Sequence, residues 1–567
     1  MLWLSFPPVG WSLLAWIGLV PLSTLIRTPW RSKPIYRPAL AGGVLFGLLA
    51  VQWIRYADDT GPSGYFGWWA LATYMGVYFP LFLLAARVAV LRFRVPAILA
   101  VPVTWVGLEY FRSWFLTGFP WYFLAHTQHR WTTLIQFADL TGAYGISFLV
   151  ALVNGWLTDV LTLPLKQPGP AGPQFTRGQI WRVAVVLALL TTAIAYGSIR
   201  IGIHEEKSGP LVLLIQTNIA QRVKDAPDQI EEIRRQYLSL LDQVSDIMKA
   251  KPPNERPSLV IWPETAYIFG LHSKFADRIP LLMIAEETTD EDLRQLFPDS
   301  QVDIKKVRQI AALVRTDLAE SARWLGVPVL MGLNTEYLSK GARKLYNSAL
   351  LVTTAGEILP PYHKIHLVPW GEYLPLRQWL PWLHIFTPHA SADYGLEAGT
   401  EPKQLNWNGL RIGVLICFED TVPWAARSYM ESQPVDLLVN LTNDGWFGVA
   451  DESSGRASLF QRAEHETHLA ISVFRAIECR RPLVRAVNSG ITAIIDSNGH
   501  VVKAAGGNTG RLGMASEIVV GDVPLDQRRS LHATAGDWLA VGCFALSAAC
   551  LLSGFVLAVQ RRQARTD

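Results

Sequence analysis

The chain has 567 residues, of which 50% are hydrophobic and only 17% charged, against the ~25% charged that soluble domains carry. With a mean hydropathy of +0.20 it reads as a membrane protein, and a net charge of +4 without a long basic run gives no ground for nucleic-acid binding. Four cysteines (Cys417, Cys479, Cys543, Cys550) show neither CxxC nor zinc-type spacing, so no disulfide framework, metal site or other cofactor is expected. The 22 tryptophans suit a chain that meets the bilayer interface, where an indole ring sits half wet.

Apolar blocks fill the first two hundred residues. Spans are expected near 11–27, 38–56, 67–90, 95–116, 143–163 and 181–200, with one more near 536–558, each close to the ~20 residues that cross the hydrocarbon. The opening "MLWLSFPPVG" is too short to span before Pro7, so the chain either begins outside the membrane or has a further span upstream, and it lacks the pattern of a cleavable signal peptide. Basic residues cluster in alternate loops: Arg27, Arg31, Lys33 and Arg37; Arg87, Arg92 and Arg94; Lys166, Arg177 and Arg182; and Arg561, Arg562 and Arg565 in the tail. Loops such as "DDTGPSG" at 58–64 have no such excess. Basic loops stay cytoplasmic, so six spans place the N-terminus and the following domain on the outer side of an inner membrane.

From 203 to about 530, charged helices alternate with short apolar runs such as "LVLLIQ", "SLVIWPE", "PVLMGL", "RIGVLIC" and "DLLVNLT". That texture predicts an α/β domain with buried strands. The expected division is 1–202 for the transmembrane helices, 203–530 for the α/β domain, and 531–567 for a last helix with a basic tail.

Three apolar runs of this domain end in reactive side chains. "LVIWPET" delivers Glu264, "YHKIHLVPWGEYLP" carries Lys364 and, eight residues on, Glu372, and "GVLICFED" delivers Cys417. Catalytic groups of open α/β sheets gather at the carboxyl ends of strands. A thiol attacking a carbonyl needs a base for its proton, and a glutamate whose pKa is raised by burial can supply one. The tetrahedral intermediate needs positive charge or N–H donors at its oxygen, which a lysine and the backbone N–H after the nucleophile can provide. Taken singly, a strand-end cysteine is more often a small buried hydrophobe. His363 and His366, flanking Lys364, leave a Cys–His site as an alternative.

Together these motifs resemble those of the nitrilase superfamily, and the flanking spans narrow the likeness to the apolipoprotein N-acyltransferase family. "EYFRSWFLTGFPW" (109–121), "QTNIAQ" (216–221), "NLTNDGWFG" (440–448) and "FRAIECRRPLVRAVNSGITAII" (474–495) resemble further family segments. The resemblance implies a nitrilase-like α-β-β-α sandwich in an extracytoplasmic domain, joined to an α-helical transmembrane bundle. It also implies Glu264 as general base, Lys364 as oxyanion stabiliser and Cys417 as nucleophile, with Glu372 orienting Lys364 or the base and Phe418 and Glu419 in support. Phe418 stands where a tyrosine is familiar, so a hydroxyl contact there is lost. Residues 221–229 lack a tryptophan that some relatives have near Asp225.

The implied reaction has two halves. Cys417 takes an acyl chain from a phospholipid as a thioester, and the α-amino group of a diacylglyceryl-cysteine at a lipoprotein N-terminus then receives it. Both substrates are lipids. The tryptophan-rich "LPLRQWLPWLHIF" (374–386), broken by Pro375 and Pro381, reads either as an arm that dips into the interface and gates lipid entry or as a loop packed on the spans. The polar stretches 271–310 and 449–472 read as surface loops or lids. Two other functions compete: a membrane-tethered nitrilase-like amidase, and a non-catalytic membrane scaffold.

Overall fold

A computed structural model describes every residue except 30–32, 57–60, 168–173, 204–206, 226–228, 267–280, 286, 298–302, 377–378, 381, 383–394, 432, 448–457, 507–514 and 567. Parts of the expected loop at 58–64, the 221–229 stretch, the arm and both polar stretches therefore lie outside the described residues.

Helices Tyr36–Ala50, Gly61–Arg87, Ala97–Arg112, Ala143–Thr162 and Arg177–Gly202 precede the α/β domain, and Trp538–Thr566 follows it. Among the described residues, four stretches are long and apolar enough to cross a membrane: Gly64–Arg92, Ala143–Thr162, Arg177–Gly202 and Trp538–Val556. The stretch expected as a span at 11–27 is built from short helical turns, Ser12–Leu14, Ala15–Gly18, Val20–Ser23 and Thr24–Arg27, and is apolar but shorter than these four. The pair 36–50 and 61–87 packs backbone to backbone through small residues, as apolar helices do where no side chain fills the gap. A Cβ on Gly43 would lie 2.5 Å from the Gly76 carbonyl oxygen, and one on Gly47 2.6 Å from that of Ala72.

The bundle has a basic end and a domain end. Arg27 Nη2 donates to Asp159 Oδ1 at 2.6 Å, and Arg182 Nε lies 3.0 Å from Asp159 Oδ2. Arg87 donates to the carbonyls of Leu25 and Thr28 at 2.9 and 3.1 Å. Three of the basic loops thus meet at the C-terminal end of the 143–162 helix. At its N-terminal end the Ala143 N–H donates to Glu478 Oε1 of the α/β domain at 2.7 Å. Nearby, Gln136 Nε2 donates to the Asn498 carbonyl at 2.8 Å and Arg480 Nε to Asp139 Oδ2 at 2.9 Å.

The α/β domain consists of two stacked sheets between helices, the sandwich the resemblance implied. The first sheet runs Glu517–Asp522, Leu211–Gln216, Leu259–Ile261, Val329–Ser339, Ala342–Val352, Tyr362–His363, with Leu281–Ile284 also paired to 329–339. The second runs Val501–Ala504, Ala493–Ile495, Leu483–Val487, Leu437–Thr442, Leu410–Ile416, Gln404–Trp407. Alternation along a strand sorts its side chains between two cores. Val212, Leu214, Ile261 and Leu351 face the second sheet, among Val414, Ile416 and Val439. Leu213, Ile215, Val260 and Leu350 face outward, onto Tyr237 and Leu241 of helix Ile230–Ala250 and Leu318 and Ala322 of helix Ile304–Leu325. The second sheet is covered by helix Leu459–Cys479, whose Phe474 and Ile477 pack into the same apolar cluster.

Candidate active site

The two sheets each deliver part of one cluster. In the first, the 259–261 strand pairs parallel with 329–339, which pairs with 342–352, which pairs with 362–363. This register brings Glu264, Asn347 and Lys364 side by side. From the second sheet, the 410–416 strand ends at Cys417, the first residue of the tight turn Cys417–Thr421.

Lys364 is 1% exposed. Its Nζ donates to Glu372 Oε1 at 2.8 Å and lies 3.7 Å from Glu264 Oε1. Asn347 Nδ2 bridges the same two carboxylates, donating to Glu264 Oε1 at 2.6 Å and Glu372 Oε1 at 3.1 Å. Glu372 Oε2 accepts from the Val368 N–H at 2.7 Å. Glu264 Oε2 is buried with no hydrogen-bond partner among the described residues, which leaves one carboxylate oxygen able to take a proton.

The electrostatics follow from burial. Burial pushes the Cys417 thiol well above its usual range; Glu264 and Asp444 push the same way, while Lys364 opposes. The resting sulfur is therefore a thiol. Burial also raises Glu264, with Glu372 adding and Lys364 and Asn347 opposing. Burial alone would lower Lys364, but Glu372, Glu264 and Cys417 outweigh it and hold the ammonium protonated. The site thus pairs a thiol with a carboxylate of raised basicity and a fixed cation.

Cys417 has φ +51°, a left-handed backbone that non-glycine residues adopt at a cost of ~1–3 kcal/mol when surroundings over-determine it. Glu419 supplies much of that constraint. It accepts from the N–H of Ile416 at 2.7 Å, Ile365 at 2.6 Å and His366 at 3.0 Å, and from the Tyr362 hydroxyl at 2.8 Å. Asn440 Nδ2 donates to the Cys417 carbonyl at 3.2 Å. Phe418 stacks on the His366 ring at 5.7 Å, so the aromatic packing at that position persists without a hydroxyl. Burial lowers His363 and His366 each to about 4. At that basicity neither imidazole competes with Glu264 for the thiol proton, which disfavours the Cys–His alternative.

Asn347 is absent from the sequence-based site, as are Asp420, Asp444, His468 and Arg485, whose buried cluster lies behind Cys417. The available signal for Asn347 was the polar pair Asn347–Ser348 inside the otherwise apolar end of a strand. Gly332 is a further constraint: its Cβ would lie 2.6 Å from the Glu264 Cα. Gly332→Ala is expected to slow turnover about a hundredfold, because displacing a reacting group by ~1 Å costs that much. The melting temperature should move by only a few degrees; an unchanged turnover rate would show that the Glu264 backbone has room to shift.

Beyond Glu372, a cavity of about 370 Å³ is lined by Tyr373, Leu374, Leu376, Trp379, Gly395, Leu396 and Glu397. Trp379 is 80% and Trp382 54% exposed. Leu383, Ile385 and Phe386 of the expected arm lie outside the described residues.

Residues 1–156 match the family model of the apolipoprotein N-acyltransferase N-terminal domain, and 221–533 match that of carbon-nitrogen hydrolases. The apolipoprotein N-acyltransferase of Geobacter metallireducens is 33% identical over 565 residues, covering 96% of this chain and 91% of that protein. The chain belongs to the apolipoprotein N-acyltransferase family. The Rhodopirellula baltica enzyme of the same name is 28% identical, covering 95% of this chain and 92% of its own length. Among solved structures, an amidase from Nesterenkonia sp. aligns with a TM-score of 0.32 at 18% identity, covering 57% of this chain and 93% of that one. The protein is accordingly a membrane acyltransferase of lipoprotein N-acylation, with a carbon-nitrogen-hydrolase α/β domain and with lipid and lipoprotein substrates. Family likeness along nearly the whole chain displaces the amidase and scaffold alternatives.

Proposed function

We propose that Cys417 is the nucleophile, Glu264 the general base and Lys364 the oxyanion stabiliser, with Glu372 and Asn347 fixing the lysine and the base and Glu419 and Phe418 holding the nucleophile's turn. The observation that carries this is the ammonium of Lys364 set between buried Glu264 and half-buried Glu372, with one Glu264 oxygen unpartnered among the described residues, and with Glu264 and Lys364 both acting on the Cys417 thiol.

In the first half-reaction the sulfur attacks the ester carbonyl of a phospholipid and its proton passes to Glu264 Oε2. The carbonyl oxygen takes up negative charge facing Lys364. Collapse breaks the carbon–oxygen bond, and the proton on Glu264 goes to the leaving lysophospholipid hydroxyl. In the second half the α-amino group of the diacylglyceryl-cysteine of an apolipoprotein attacks the thioester. Glu264 takes the amine's proton, the carbon–sulfur bond breaks, and that proton returns the sulfur to a thiol. Amide formation is downhill from the thioester, provided water is excluded in between.

The division into 1–202, 203–530 and 531–567 fits this reading. Arg27, Arg87 and Arg182 gather at the end of the 143–162 helix remote from the α/β domain. With basic loops cytoplasmic, the catalytic domain stands on the periplasmic side of the inner membrane, where both lipid substrates present their head groups. Incubation with phospholipid labelled in its acyl chain should give a hydroxylamine-sensitive label on Cys417, and Cys417→Ala should give none. A label that persists in the alanine variant refutes the assignment.

Exposed Trp379, which lines the 370 Å³ cavity, and exposed Trp382 support a lipid-facing role for the arm. Replacing Trp379 and Trp382 together by serine is expected to slow turnover of phospholipid at least tenfold while leaving that of a short soluble thioester or ester within twofold. Equal losses on both substrates count against the arm.

A further inference from the structure

Behind the nucleophile's turn lies a buried charge cluster that the two half-reactions leave unused. Asp420, three residues after Cys417, accepts from Ser472 Oγ at 2.5 Å and Arg485 Nη1 at 2.9 Å, and its Oδ1 lies 2.7 Å from His468 Nε2. The other ring nitrogen, His468 Nδ1, lies 3.2 Å from Asp444 Oδ1 and 3.7 Å from Glu464 Oε1. Arg485 Nη2 stands 3.5 Å from Asp444 Oδ2. All these side chains are buried. Trp121, from the loop of the membrane bundle that follows the 97–112 helix, lies against the imidazole with ring centroids 5.4 Å apart.

Each nitrogen of His468 faces a carboxylate oxygen, and only the doubly protonated ring has an N–H for both. Burial and Arg485 work against that charge, but Asp420 and Asp444 raise the imidazole to about 10, and Asp444 itself is held below the usual carboxylate range. Of the remaining neighbours, Glu464 is driven well up by burial and by Asp444 and Asp420, which works against its ionisation, and burial lowers His465 to about 4, so that imidazole is neutral near pH 7. Asp444, Glu464 and His468 bring donor atoms within 4.8 Å of one another. A metal ion there would have to displace a proton bonded to Asp444 and would face Arg485, so the cluster is already closed by its own charges.

The cluster reaches the sulfur by two routes. Asp420 belongs to the Cys417–Thr421 turn itself. Asp444 accepts from Thr442 Oγ1 at 2.8 Å, and its charge acts directly on the Cys417 thiol, raising it. We propose that His468 is a positioning residue for acyl transfer: clamped as an imidazolium between Asp420 and Asp444, it fixes the nucleophile's turn and offsets the carboxylate charge behind the thiol. Trp121 ties this clamp to the membrane bundle. The proposal rests on Cys417 being the nucleophile.

The test is the rate of iodoacetamide alkylation at Cys417, followed by mass spectrometry on the full-length protein in detergent between pH 6 and 9. His468→Gln should be alkylated about tenfold more slowly than wild type at a given pH, since one pKa unit is a tenfold change in thiolate fraction. Asp444→Asn should be alkylated faster than wild type, and the double variant should return to within about threefold of it. Slowing in all three variants, or no restoration in the double, means structural damage and overturns the proposal. Should His468→Gln fail to fold, Asp444→Asn decides alone, and a rate at or below wild type overturns it. Phospholipid labelling in Cys417→Ala is the separate control: label surviving there defeats the nucleophile assignment, whatever the alkylation rates show.

Discussion

Lys364→Met is expected to lower the rate of Cys417 acylation at least a thousandfold while the protein still folds. Methionine keeps the length of the side chain and removes its charge. Two consequences act together. The oxygen of the tetrahedral intermediate loses its cation, and removing one oxyanion donor costs ~10²–10³ in rate. Glu264, already held above the ordinary carboxylate range by burial and by Glu372, loses the charge that opposes both. Its pKa is then pushed further up, so less of it is ionised to serve as a base, a role worth ~10²–10⁴. These losses are not additive, because the base and the cation act in one transition state.

The same substitution makes stability depend on pH in a stated direction. A buried carboxyl whose folded-state pKa is raised above its unfolded value favours the folded state fully below that unfolded value, and the benefit is lost as pH rises through the folded value. In Lys364→Met the Glu264 pKa is pushed further up. The melting-temperature deficit of the variant should therefore be small near pH 5 and widen toward pH 8. Thermal unfolding at the two pH values, together with the acyl-label assay, checks both halves. A variant that acylates at more than a tenth of the wild-type rate would remove Lys364 from the mechanism.

The sequence alone made the candidate site legible because its segments couple buried strands to ionisable side chains. Glu264, Lys364 and Cys417 stand just past strand ends and Glu372 in the turn that follows Lys364, and the structure brings Glu264, Lys364 and Glu372 into hydrogen-bonding and ionic contact. The residues that went unread are those whose polarity is masked by their setting. Asn347 lies in a strand that is otherwise ordinary, and only the register of three neighbouring strands reveals that its amide joins two carboxylates. "AEHETHLAIS" reads as a solvated stretch, yet Glu464, His465, Thr467 and His468 are buried in the 459–479 helix. A helix held between a sheet and a membrane bundle has no wet face, and its polar groups persist there by pairing with one another. The apolar side chains of Ala15, Leu19 and Ile26 in the 11–27 stretch pack into the bundle from short helical turns.

Glu419→Ala is expected to reduce acylation more than a hundredfold through the backbone alone, since this carboxylate belongs to neither the base nor the oxyanion contact. It is fully buried, and burial raises its pKa, with the N–H groups of Ile416 and His366, the charge of Lys364 and the Tyr362 hydroxyl opposing. Its partners are four donors: three backbone N–H groups and one hydroxyl. Two of the N–H groups follow Lys364 directly and the third precedes Cys417, so one side chain fixes the lysine and the thiol relative to each other. Alanine leaves these donors unpaired, and each buried unpaired group costs ~1–3 kcal/mol. The left-handed backbone at Cys417 then has less to hold it. Glu419→Gln discriminates this account from simple loss of packing. Its volume is unchanged, but its amide nitrogen turns a donor toward groups that are themselves donors, so it too should lose at least tenfold in acylation and several degrees in melting temperature. A glutamine variant that acylates like wild type would mean that Glu419 fills space and that the Cys417 turn is held by Asn440 and Asp420 without it.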